Sequence, residues 1–589
     1  MAAYTAEDFM TPGIIYDAYN YQVECQQLFM TLLSRPVTLI QPDTSAGVYT
    51  IPFPSLINVI ERNIDALAAN GYYGPRANTA DDPANGIYVS PEGNDITATG
   101  SIGAPYKSIN TALANAEPGN TIILRGGTYR EGINVRVRIP NITIKSRKGE
   151  WAVIDLTTYN PGAEEDSGVY FDTDASGGKL QSVEVKGGFY AVALETKWGW
   201  HGDDDYVAAS DIIIEDCKLH SSRYDVVKVK PNCNNVTIRY NEIYNSGQAY
   251  KAPFYGEDNA EGIDNVQGNN MIVQNNYIHD ICSNAIYAKG GATDVLIENN
   301  IIERAYGGGI LVGFDTSPDW FDLDTNPEYY ENIRGVVRNN LIINTGWEGI
   351  GLYASKDAQI YNNTLVNVSN GLYHSAIYFG IATQDWDDDA GRPANINPTI
   401  RHNIVSQPAS IVHPMIEIRF DDNDQLGLLS GLEGNPTMNN NCYYIAGKSA
   451  RFKDNRPGSI LENAGLSAWK AHIGGETGSI EVDPSLNSNY MPSNAQCAGM
   501  GIQHPLIVND SPITGIRALS PKSLVYISNG ILYIESPAAE MVHVYSINGA
   551  LLHNLQKPAG KVSYLVNKSK GTEIIVRGSS GWSKKIIVR

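Results

Sequence analysis

One short pattern recurs six times between residues 236 and 409: two alternating apolar residues, an asparagine, and a second short apolar run. The segments are VTIRYNEIYNSG, MIVQNNYIHDIC, VLIENNIIERAY, GVVRNNLIINTG, AQIYNNTLVNVS and PTIRHNIVSQPA. Their asparagines are Asn241, Asn276, Asn300, Asn340, Asn363 and Asn403, at spacings of 35, 24, 40, 23 and 40 residues. A base period near 23 residues, with insertions in the longer intervals, accounts for these spacings and indicates a repeat architecture.

This period predicts an all-β fold, a right-handed parallel β-helix. A coil of this length has room for two or three short strands, and one coil cannot bury its own apolar side chains. Stacked coils share a continuous core at about 4.8 Å per rung. The recurrent asparagine is predicted to be a structural turn residue, because Asn tolerates the left-handed conformation and its amide can bond to the Asn of the next rung.

Composition excludes several classes of protein. The chain has 589 residues, 42% of them hydrophobic and only 18% charged, and its formal net charge is −21. Nucleic-acid binding needs a basic face that so acidic a chain can hardly provide, and no apolar run approaches the roughly 18 residues of a membrane span. The six cysteines form no CxxC pair, which argues against zinc and favours buried thiols. We expect a monomer with no nucleic-acid partner.

The spacing of apolar residues divides the chain into three parts. Residues 1–85 contain apolar residues at helical spacing and are predicted to form a helical N-terminal segment. Residues 86–505 are the predicted β-helix, with the helix SINTALANA closing its first coil and 482–502 forming the last coil and exit. Residues 516–589 contain short alternating strands and are predicted to form a small β-sandwich.

Two parts of the chain resemble known families. IYVSPEGND, with the following PYKSINTALANAEPGNTIILRGGTY, resembles the opening of secreted β-helix enzymes of the pectate-lyase-like superfamily, which includes lyases and glycoside hydrolases. NGILYIES, VHVYSINGALL and IIVRGSSGWSKKIIVR are similar to C-terminal sorting domains of Bacteroidetes type IX secretion. These resemblances imply a secreted or cell-surface enzyme that degrades polysaccharide. The first residues, MAAYTAEDFM, lack the features of a signal peptide, so by themselves they leave a cytoplasmic protein open as well.

A strand downstream of each Asn turn is predicted to carry the chemistry. Alternation directs Val227/Val229, Ile286/Ala288, Ile310/Val312, Ile350/Leu352, Ile377/Phe379 and Ile416/Ile418 inward. One outward column then reads Lys228, Asp264, Tyr287, Leu311, Gly351, Tyr378 and Glu417. The next reads Lys230, Val266, Lys289, Gly313, Tyr353, Gly380 and Arg419, with Glu195 beside Lys230. A solvated sheet face is the simplest explanation for any one of these strands, but the whole face favours a binding surface.

Long insertions flank this face and combine aromatic residues with acids, at 197–210, 249–261, 314–331 and 383–397. Aromatic rings stack on sugar rings, and carboxylates bind hydroxyls or calcium, so these features favour a polysaccharide cleft. The predicted substrate-binding residues are Tyr287, Tyr353, Tyr378, Trp320, Trp386, Arg419 and Glu417. The predicted Ca²⁺ ligands are Asp203, Asp204 and Asp205, while the acidic run 385–389 is equally compatible with an ordinary surface loop.

The first hypothesis is a lyase that acts on a uronate-containing polysaccharide. β-Elimination removes the C5 proton, which lies α to a carboxylate, and therefore needs a base and a cationic group. Lys289 resembles the strand-end lysine of β-helix lyases, precedes Gly290 and Gly291, and is the predicted base, with Lys230 and Lys228 as nearby cations. Asp264 could orient Lys228 or bind Ca²⁺. The acidic calcium pocket of family 9 lyases is not matched residue for residue.

Two alternatives use the same scaffold. A glycoside hydrolase needs two carboxyl groups about 5–9 Å apart, and Asp264, Glu261, Asp322 and Glu417 are available. A non-catalytic glycan-binding solenoid would present a flat face without convergent titratable groups, against which the Lys/Asp column argues.

Overall fold

The computed structural model describes residues 72–157, 163–197, 207–247, 259–371, 373–383, 391–424 and 426–504. Beyond these it describes the strand Ile507–Val508 and seven strands between residues 524 and 587. The predicted helical segment 1–85 therefore lies almost wholly outside the described residues. The helices that are described are too short and too polar to cross a lipid bilayer.

Three sheets of twelve strands each run the length of the β-helix, which confirms the predicted fold class. Each coil passes through sheet A, then sheet B, then sheet C. The strands of sheet A are Ile87–Val89, Thr121–Leu124, Thr143–Ser146, Lys179–Gln181, Ile213–Glu215, Thr237–Arg239, Ile272–Gln274, Leu296–Glu298, Val336–Arg338, Gln359–Tyr361, Thr399–Arg401 and Thr437–Asn439.

Sheet B follows sheet A after the Asn turn, and sheet C follows sheet B after a second corner. The strands of sheet B are Gly127–Tyr129, Ala152–Leu156, Val183–Gly187, Lys218–His220, Glu242–Tyr244, Tyr277–Ile281, Ile301–Ala305, Leu341–Ile343, Thr364–Val366, Ile404–Gln407, Cys442–Ile445 and Ile480–Glu481. Those of sheet C are Val135–Val137, Val169–Phe171, Val192–Leu194, Val227–Val229, Ile263–Val266, Ile286–Lys289, Ile310–Val312, Ile350–Tyr353, Ile377–Gly380, Ile416–Ile418, Phe452–Asp454 and Leu461–Ala464.

Short strands lie outside these sheets. Ala292–Thr293, Asn332–Ile333 and Ser355–Lys356 pair between sheets C and A, Phe420–Asn423 forms a hairpin with Gly427–Ser430, and Tyr72–Tyr73 pairs with Ile507–Val508. The C-terminal strands are antiparallel and form a sheet of three and a sheet of four. They are Leu524–Ser528, Ile531–Ser536 and Gly560–Leu565, and Leu551–Lys557, Glu540–Ser546, Glu573–Gly578 and Ser583–Ile587.

The core lies inside the three sheets and is built from aliphatic residues stacked coil upon coil. The predicted inward residues of sheet C, from Val227 to Ile418, are all fully or almost fully buried in this core. Each buried aliphatic side chain contributes about 1.5–3 kcal/mol relative to an exposed one, so repetition along the axis stabilises the solenoid.

The recurrent asparagines form the predicted ladder. The backbone N–H of Asn276 donates to Asn300 Oδ1 at 3.0 Å, and the same bond recurs between each neighbouring pair from Asn241 to Asn441. The left-handed conformation, however, belongs to the preceding residue, for example Asn299 with φ of 55°. The ladder asparagine is the residue that follows this turn, and its fully buried side chain bonds along the axis.

Both ends of the β-helix are covered by a short helix. Helix α1 (Ile109–Ala114), capped by Ser108, buries Ile109 and Leu113 at the first coil, as predicted. Helix α2 (Leu466–Ile473) buries Trp469 at the other end, where it stacks on Phe452. Residues 483–502 are not a last coil. Cys497, Met500 and Ile502 instead pack on the outer face of sheet B, because that face carries an apolar strip there.

Candidate active site

The outward columns of sheet C have the predicted register. Lys228 pairs with Asp264, Asp264 with Tyr287, and the column continues through Leu311, Gly351, Tyr378 and Glu417. In the second column Val266 pairs with Lys289 and Tyr353 with Gly380. The candidate residues therefore lie on one face at successive rungs, because period-2 alternation and an unbroken parallel register leave no other arrangement.

Three carboxylates meet at the start of this face. Asp225 and Glu261 each precede a strand of sheet C by two residues, and Asp264 lies within the strand that Glu261 precedes. One oxygen of each lies within 4.8 Å of the others, and all three side chains are buried. The backbone N–H of Glu261 donates to Asp225 Oδ1 at 2.9 Å, which fixes their spacing. Among the residues that the structure describes, this is the one such group of potential metal ligands.

The chemistry of this acidic cluster fits a hard divalent cation. Asp225 Oδ2, Glu261 Oε2 and Asp264 Oδ1 are buried and accept no hydrogen bond from the described residues, although the Lys228 ammonium lies 3.3 Å from Asp225 Oδ2. One ammonium does not balance three carboxylates, and buried carboxylate oxygens without donors are costly unless further positive charge balances them. Calcium prefers carboxylate oxygens and tolerates irregular geometry. Asp225 was not among the predicted site residues, because it lies in a corner before its strand, outside both alternating columns.

The cluster divides into carboxyls of different acidity. Burial, reinforced by the negative charges of Asp225 and Asp264, holds the pKa of Glu261 well above its usual range. Burial also raises the pKa of Asp225. Burial alone would raise the pKa of Asp264, but the positive charges of Lys228 and Lys289 outweigh it and lower that pKa. The ammonium of Lys289 is thus close enough to act electrostatically on the cluster.

Lys228 and Lys230 both form ion pairs with carboxylates. The Lys228 ammonium bonds to Asp264 and lies 3.3 Å from Asp225 Oδ2. Burial would lower the pKa of Lys228, but these two carboxylates raise it well above its ordinary value. The Lys230 ammonium lies 2.8 Å from both Glu195, as predicted, and Glu164. Each of the two predicted cations is therefore paired with two carboxylates.

Lys289 differs from both in its partners. Its side chain is partly exposed, as that of Lys228 is, but its ammonium lies beside aromatic rings, 4.5 Å from the centroid of Tyr287 and 5.9 Å from that of Phe314. Within the described part of the chain, no carboxylate forms an ion pair with it and no acceptor hydrogen-bonds to it. Of the three lysines on this face, Lys289 is therefore the one whose amine can meet a ligand.

A buried ion pair holds the turn after Lys289. Gly290 and Gly291 both have positive φ, 69° and 88°, and the N–H of Gly290 donates to Glu331 Oε2 at 2.8 Å. Glu331 also accepts from Arg392 Nε at 2.9 Å, and both side chains are buried. This pair joins the strand end of Lys289 to two of the long insertions. Sequence analysis did not single out either residue.

The three predicted substrate-binding tyrosines are not exposed. Tyr287, Tyr353 and Tyr378 point outward from sheet C but are buried in a second apolar cluster outside the sheet, together with Leu311. Their hydroxyls and rings are engaged: Asn284 Nδ2 donates to Tyr287 Oη at 2.6 Å, and Tyr353 Oη donates to Glu348 at 2.6 Å. Tyr378 stacks on His374. Their outward direction was correct, but aromatic side chains on adjacent rungs cover one another.

The remaining predicted residues have varied surroundings. Arg419 is exposed, and Trp320 is partly exposed in the turn Pro318–Trp320. Glu417 accepts from Asn455 at 2.9 Å and pairs with Lys453. Trp386 and the predicted calcium ligands Asp203, Asp204 and Asp205 lie outside the described residues.

The geometry argues against a hydrolase pair among the four candidate carboxyl groups. Asp322 accepts from the backbone of Asp324 and the hydroxyl of Thr325, which makes it a turn cap. Glu417 lies five rungs from Asp264, about 24 Å along the axis. Asp264 and Glu261 are close, but both are buried within the acidic cluster.

The sheets define the class of this protein as a right-handed parallel β-helix. A family model described as a right-handed β-helix region matches residues 162–318, and a model described as a protein of unknown function (DUF1565) matches residues 91–142. Pectate lyase PEL9 of Emericella nidulans is 39% identical over 95 residues, which cover 15% of this chain and 21% of that protein. The match thus spans about a fifth of the relative's length.

Solved structures are similar at lower identity. The pectate lyase Pel9A structure is 16% identical with a TM-score of 0.39, over 57% of this chain and 79% of that one. The mannuronan C-5 epimerase AlgE6 A-module of Azotobacter vinelandii is 14% identical with a TM-score of 0.42, over 64% of this chain and 94% of that one.

Proposed function

We propose that this protein is an extracellular lyase that cleaves a uronate-containing polysaccharide by β-elimination, with Lys289 as the base. The observation that carries the proposal is a strand-end lysine that forms no ion pair with any described residue and acts electrostatically on a buried acidic cluster. The partial sequence match to a pectate lyase supports a polysaccharide substrate.

Elimination requires Lys289 to accept a proton at Nζ. The C5–H bond breaks, its electron pair forms the C4–C5 double bond, and the C4–O bond to the departing sugar breaks. The departing oxygen takes a proton from water. Lys289 suits this role because no carboxylate of the described residues forms an ion pair with its amine, whereas Lys228 and Lys230 are both paired with carboxylates. A base at a strand end beside a glycine turn also leaves room for a sugar ring.

Asp225, Glu261 and Asp264 are the residues that would hold Ca²⁺ in this proposal. The bound ion would neutralise the cluster and stabilise negative charge on the substrate carboxylate. Lys228 holds Asp264 and Asp225 in place through its ion pairs, so it is a positioning residue rather than a base. Glu331 and Arg392 position the backbone after Lys289.

The test is the Lys289→Ala variant, with Lys356→Ala as a control that removes another partly exposed lysine. Both are incubated with polygalacturonate and with alginate, and the ultraviolet absorbance of the double bond conjugated to the carboxylate is followed. We expect Lys289→Ala to lose at least about 10²-fold in rate, since a general base contributes at least that much, while Lys356→Ala keeps the wild-type rate. EDTA should abolish the signal and Ca²⁺ restore it.

Other outcomes separate the alternatives. Full activity in Lys289→Ala would remove this residue from the base role. New reducing ends without the absorbance would indicate a hydrolase and direct attention to Asp264 and Glu261. No product from either substrate, together with retained binding, would favour a non-catalytic glycan-binding solenoid.

A further inference from the structure

A cleft of about 550 Å³ lies at the corner where sheet B passes to sheet C. Its aromatic lining comes from three successive coils: Tyr306, Trp347 and Tyr373. The N–H of Gly346 donates to Ala305 O at 2.9 Å and that of Gly371 to Gly346 O at 2.8 Å, so the coils are stacked in direct contact. The aromatic residues are therefore spaced at intervals of about one rung, ~4.8 Å, along the solenoid axis.

The exposure of these rings is unusual for this molecule. Tyr306 is 61% exposed and Tyr373 is 59% exposed. Every other Phe, Tyr or Trp in the described ranges between residues 72 and 504 is at least half-buried. One exposed aromatic residue needs no explanation, but the two most exposed rings both line one cleft, with Trp347 between them. Grouped exposed aromatic surface of this kind indicates a binding site.

The charged side chains of the cleft are held by ion pairs and carry no net positive charge. Arg304 Nε and Nη2 donate to the two oxygens of Asp280 at 2.6 and 2.9 Å, and Arg304 Nη1 lies 2.7 Å from Glu303. Asn245, Asn344 and Asn370 complete the lining with amide groups. Because its arginine is already compensated by two carboxylates, the cleft offers hydrogen bonds without net positive charge. Such a lining suits sugar hydroxyls and ring faces rather than carboxylate groups.

The cleft and the acidic cluster lie along the same corner of the β-helix, between sheets B and C. Asp225 and Glu261 precede strands of sheet C at this same corner, and Tyr306 lies two coils beyond Glu261. Trp347 and Tyr373 belong to the next two coils. A chain that follows the corner from the cluster would reach the aromatic rings within about 10–19 Å, two to four rungs.

We propose that the cleft formed by Tyr306, Trp347 and Tyr373 binds sugar rings of the polysaccharide at a distance from the cleaved linkage. It recognises ring faces and hydroxyls, so its contribution to affinity does not depend on salt. The proposal rests on the proposed function for the identity of the substrate as a polysaccharide. Binding at the cleft does not require the elimination step.

The test measures binding in a background that does not cleave. The full chain carrying Lys289→Ala is run in native gels containing polygalacturonate, alginate or xylan, and compared with the same chain carrying Tyr306→Ala and Tyr373→Ala. Both tyrosines are exposed, so the double variant should fold, and circular dichroism checks this. Ile96→Ala with Ile460→Ala is the control, since these side chains are also strongly exposed but lie near the two ends of the β-helix.

We expect at least one polysaccharide to retard the parent chain and the control. The tyrosine variant should bind that polysaccharide about tenfold more weakly or worse, equivalent to 1.4 kcal/mol. The ratio between parent and variant should stay constant between about 50 and 500 mM salt, where exposed charge interactions are screened. Equal retardation of parent and variant would overturn the proposal, and so would no retardation of the parent by any of the three polysaccharides.

The two proposals fail separately. Binding that depends on the tyrosines, without any unsaturated product from the wild type, would overturn the lyase and retain the cleft. Elimination by the wild type, with unchanged binding and unchanged KM for long chains in the tyrosine variant, would retain the lyase and overturn the cleft.

Discussion

At the scale of single residues, the partner of a side chain decides its chemistry. Lys228, Lys230 and Lys289 lie on one face of one sheet, yet the first two are paired with carboxylates, whereas the third lies beside aromatic rings and pairs with no described carboxylate. The same holds for carboxyls, since burial raises the pKa of Glu261 while adjacent lysines lower that of Asp264. The residue type shows which side chains could act in a site, but the neighbours on adjacent rungs determine their pairing and their pKa.

His402 gives a pH-dependent prediction at this scale. It occupies a left-handed turn position, with φ of 56°, that Asn362 and Asn440 occupy in the adjacent coils. Burial, helped by the charge of Arg401, lowers the pKa of His402 in the folded chain. As pH falls below about 6.5, the unfolded chain therefore takes up the proton first and stability is lost. His402→Asn should remove this loss while keeping the turn.

Thermal unfolding of wild type and His402→Asn at pH 8 and pH 5 checks the sign. The difference in Tm, variant minus wild type, should be larger at pH 5 than at pH 8. An equal difference at both values would show that His402 does not contribute to the acid sensitivity of the fold.

At the scale of elements, the asparagine ladder fixes the corner between sheets A and B. Asn300 accepts from the backbone and side chain of Asn276 and donates to Val273 O and to Asn340. It is fully buried. Each rung thus satisfies the polar groups of the rung before it, which is why the same residue recurs at the same place in successive coils.

Asn300→Ala should destabilise the β-helix by about 2–4 kcal/mol, because it leaves several buried polar groups without partners, at about 1–3 kcal/mol for each unsatisfied group. Urea denaturation followed by tryptophan fluorescence measures the change. Asn489→Ala, at an exposed position outside the ladder, is the control and should shift the midpoint little. Equal midpoints for the two variants would contradict a stabilising role for the ladder.

At the scale of the whole molecule, residues 483–504 pack on the outer face of sheet B and contact strands that are distant from them in sequence. Ile502 packs with Ile301, Leu341 and Ile343, and its backbone N–H donates to Thr364 Oγ1 at 3.0 Å. The following strand, Ile507–Val508, pairs with Tyr72–Tyr73. This segment covers an apolar strip that a β-helix would otherwise expose to water.

Ile502→Ala should loosen this segment, because truncation of a buried Ile to Ala costs about 2–5 kcal/mol. We expect faster proteolysis within 483–508, measured by mass spectrometry of the fragments, while the coils around Lys289 stay protected. Ile460→Ala, at an exposed isoleucine, serves as the matched control. Unchanged cleavage of the Ile502 variant would mean that the segment does not depend on this contact.

Much of the fold could be predicted from local pattern. The Asn spacing and period-2 alternation identified the β-helix, its inward residues and both outward columns of sheet C. The candidate site was predicted only in part. Lys289 and Asp264 were found because they lie in strands, whereas Asp225 and the pair Glu331 and Arg392 lie in corners and insertions, where no periodicity relates residues distant in sequence.

The sequence by itself determined the repeat, because each coil obeys the same local rule of alternation and turn. It also determined the direction of each side chain in sheet C, since a strand has only two faces. Only the tertiary structure decided which outward side chains are available to a ligand. Stacking brought Glu195 to Lys230 and covered Tyr287, Tyr353 and Tyr378, whereas Tyr306 and Tyr373 remain more than half exposed. Exposure and pairing depend on contacts between coils, and the local rule of alternation does not determine which side chains meet when coils of unequal length stack.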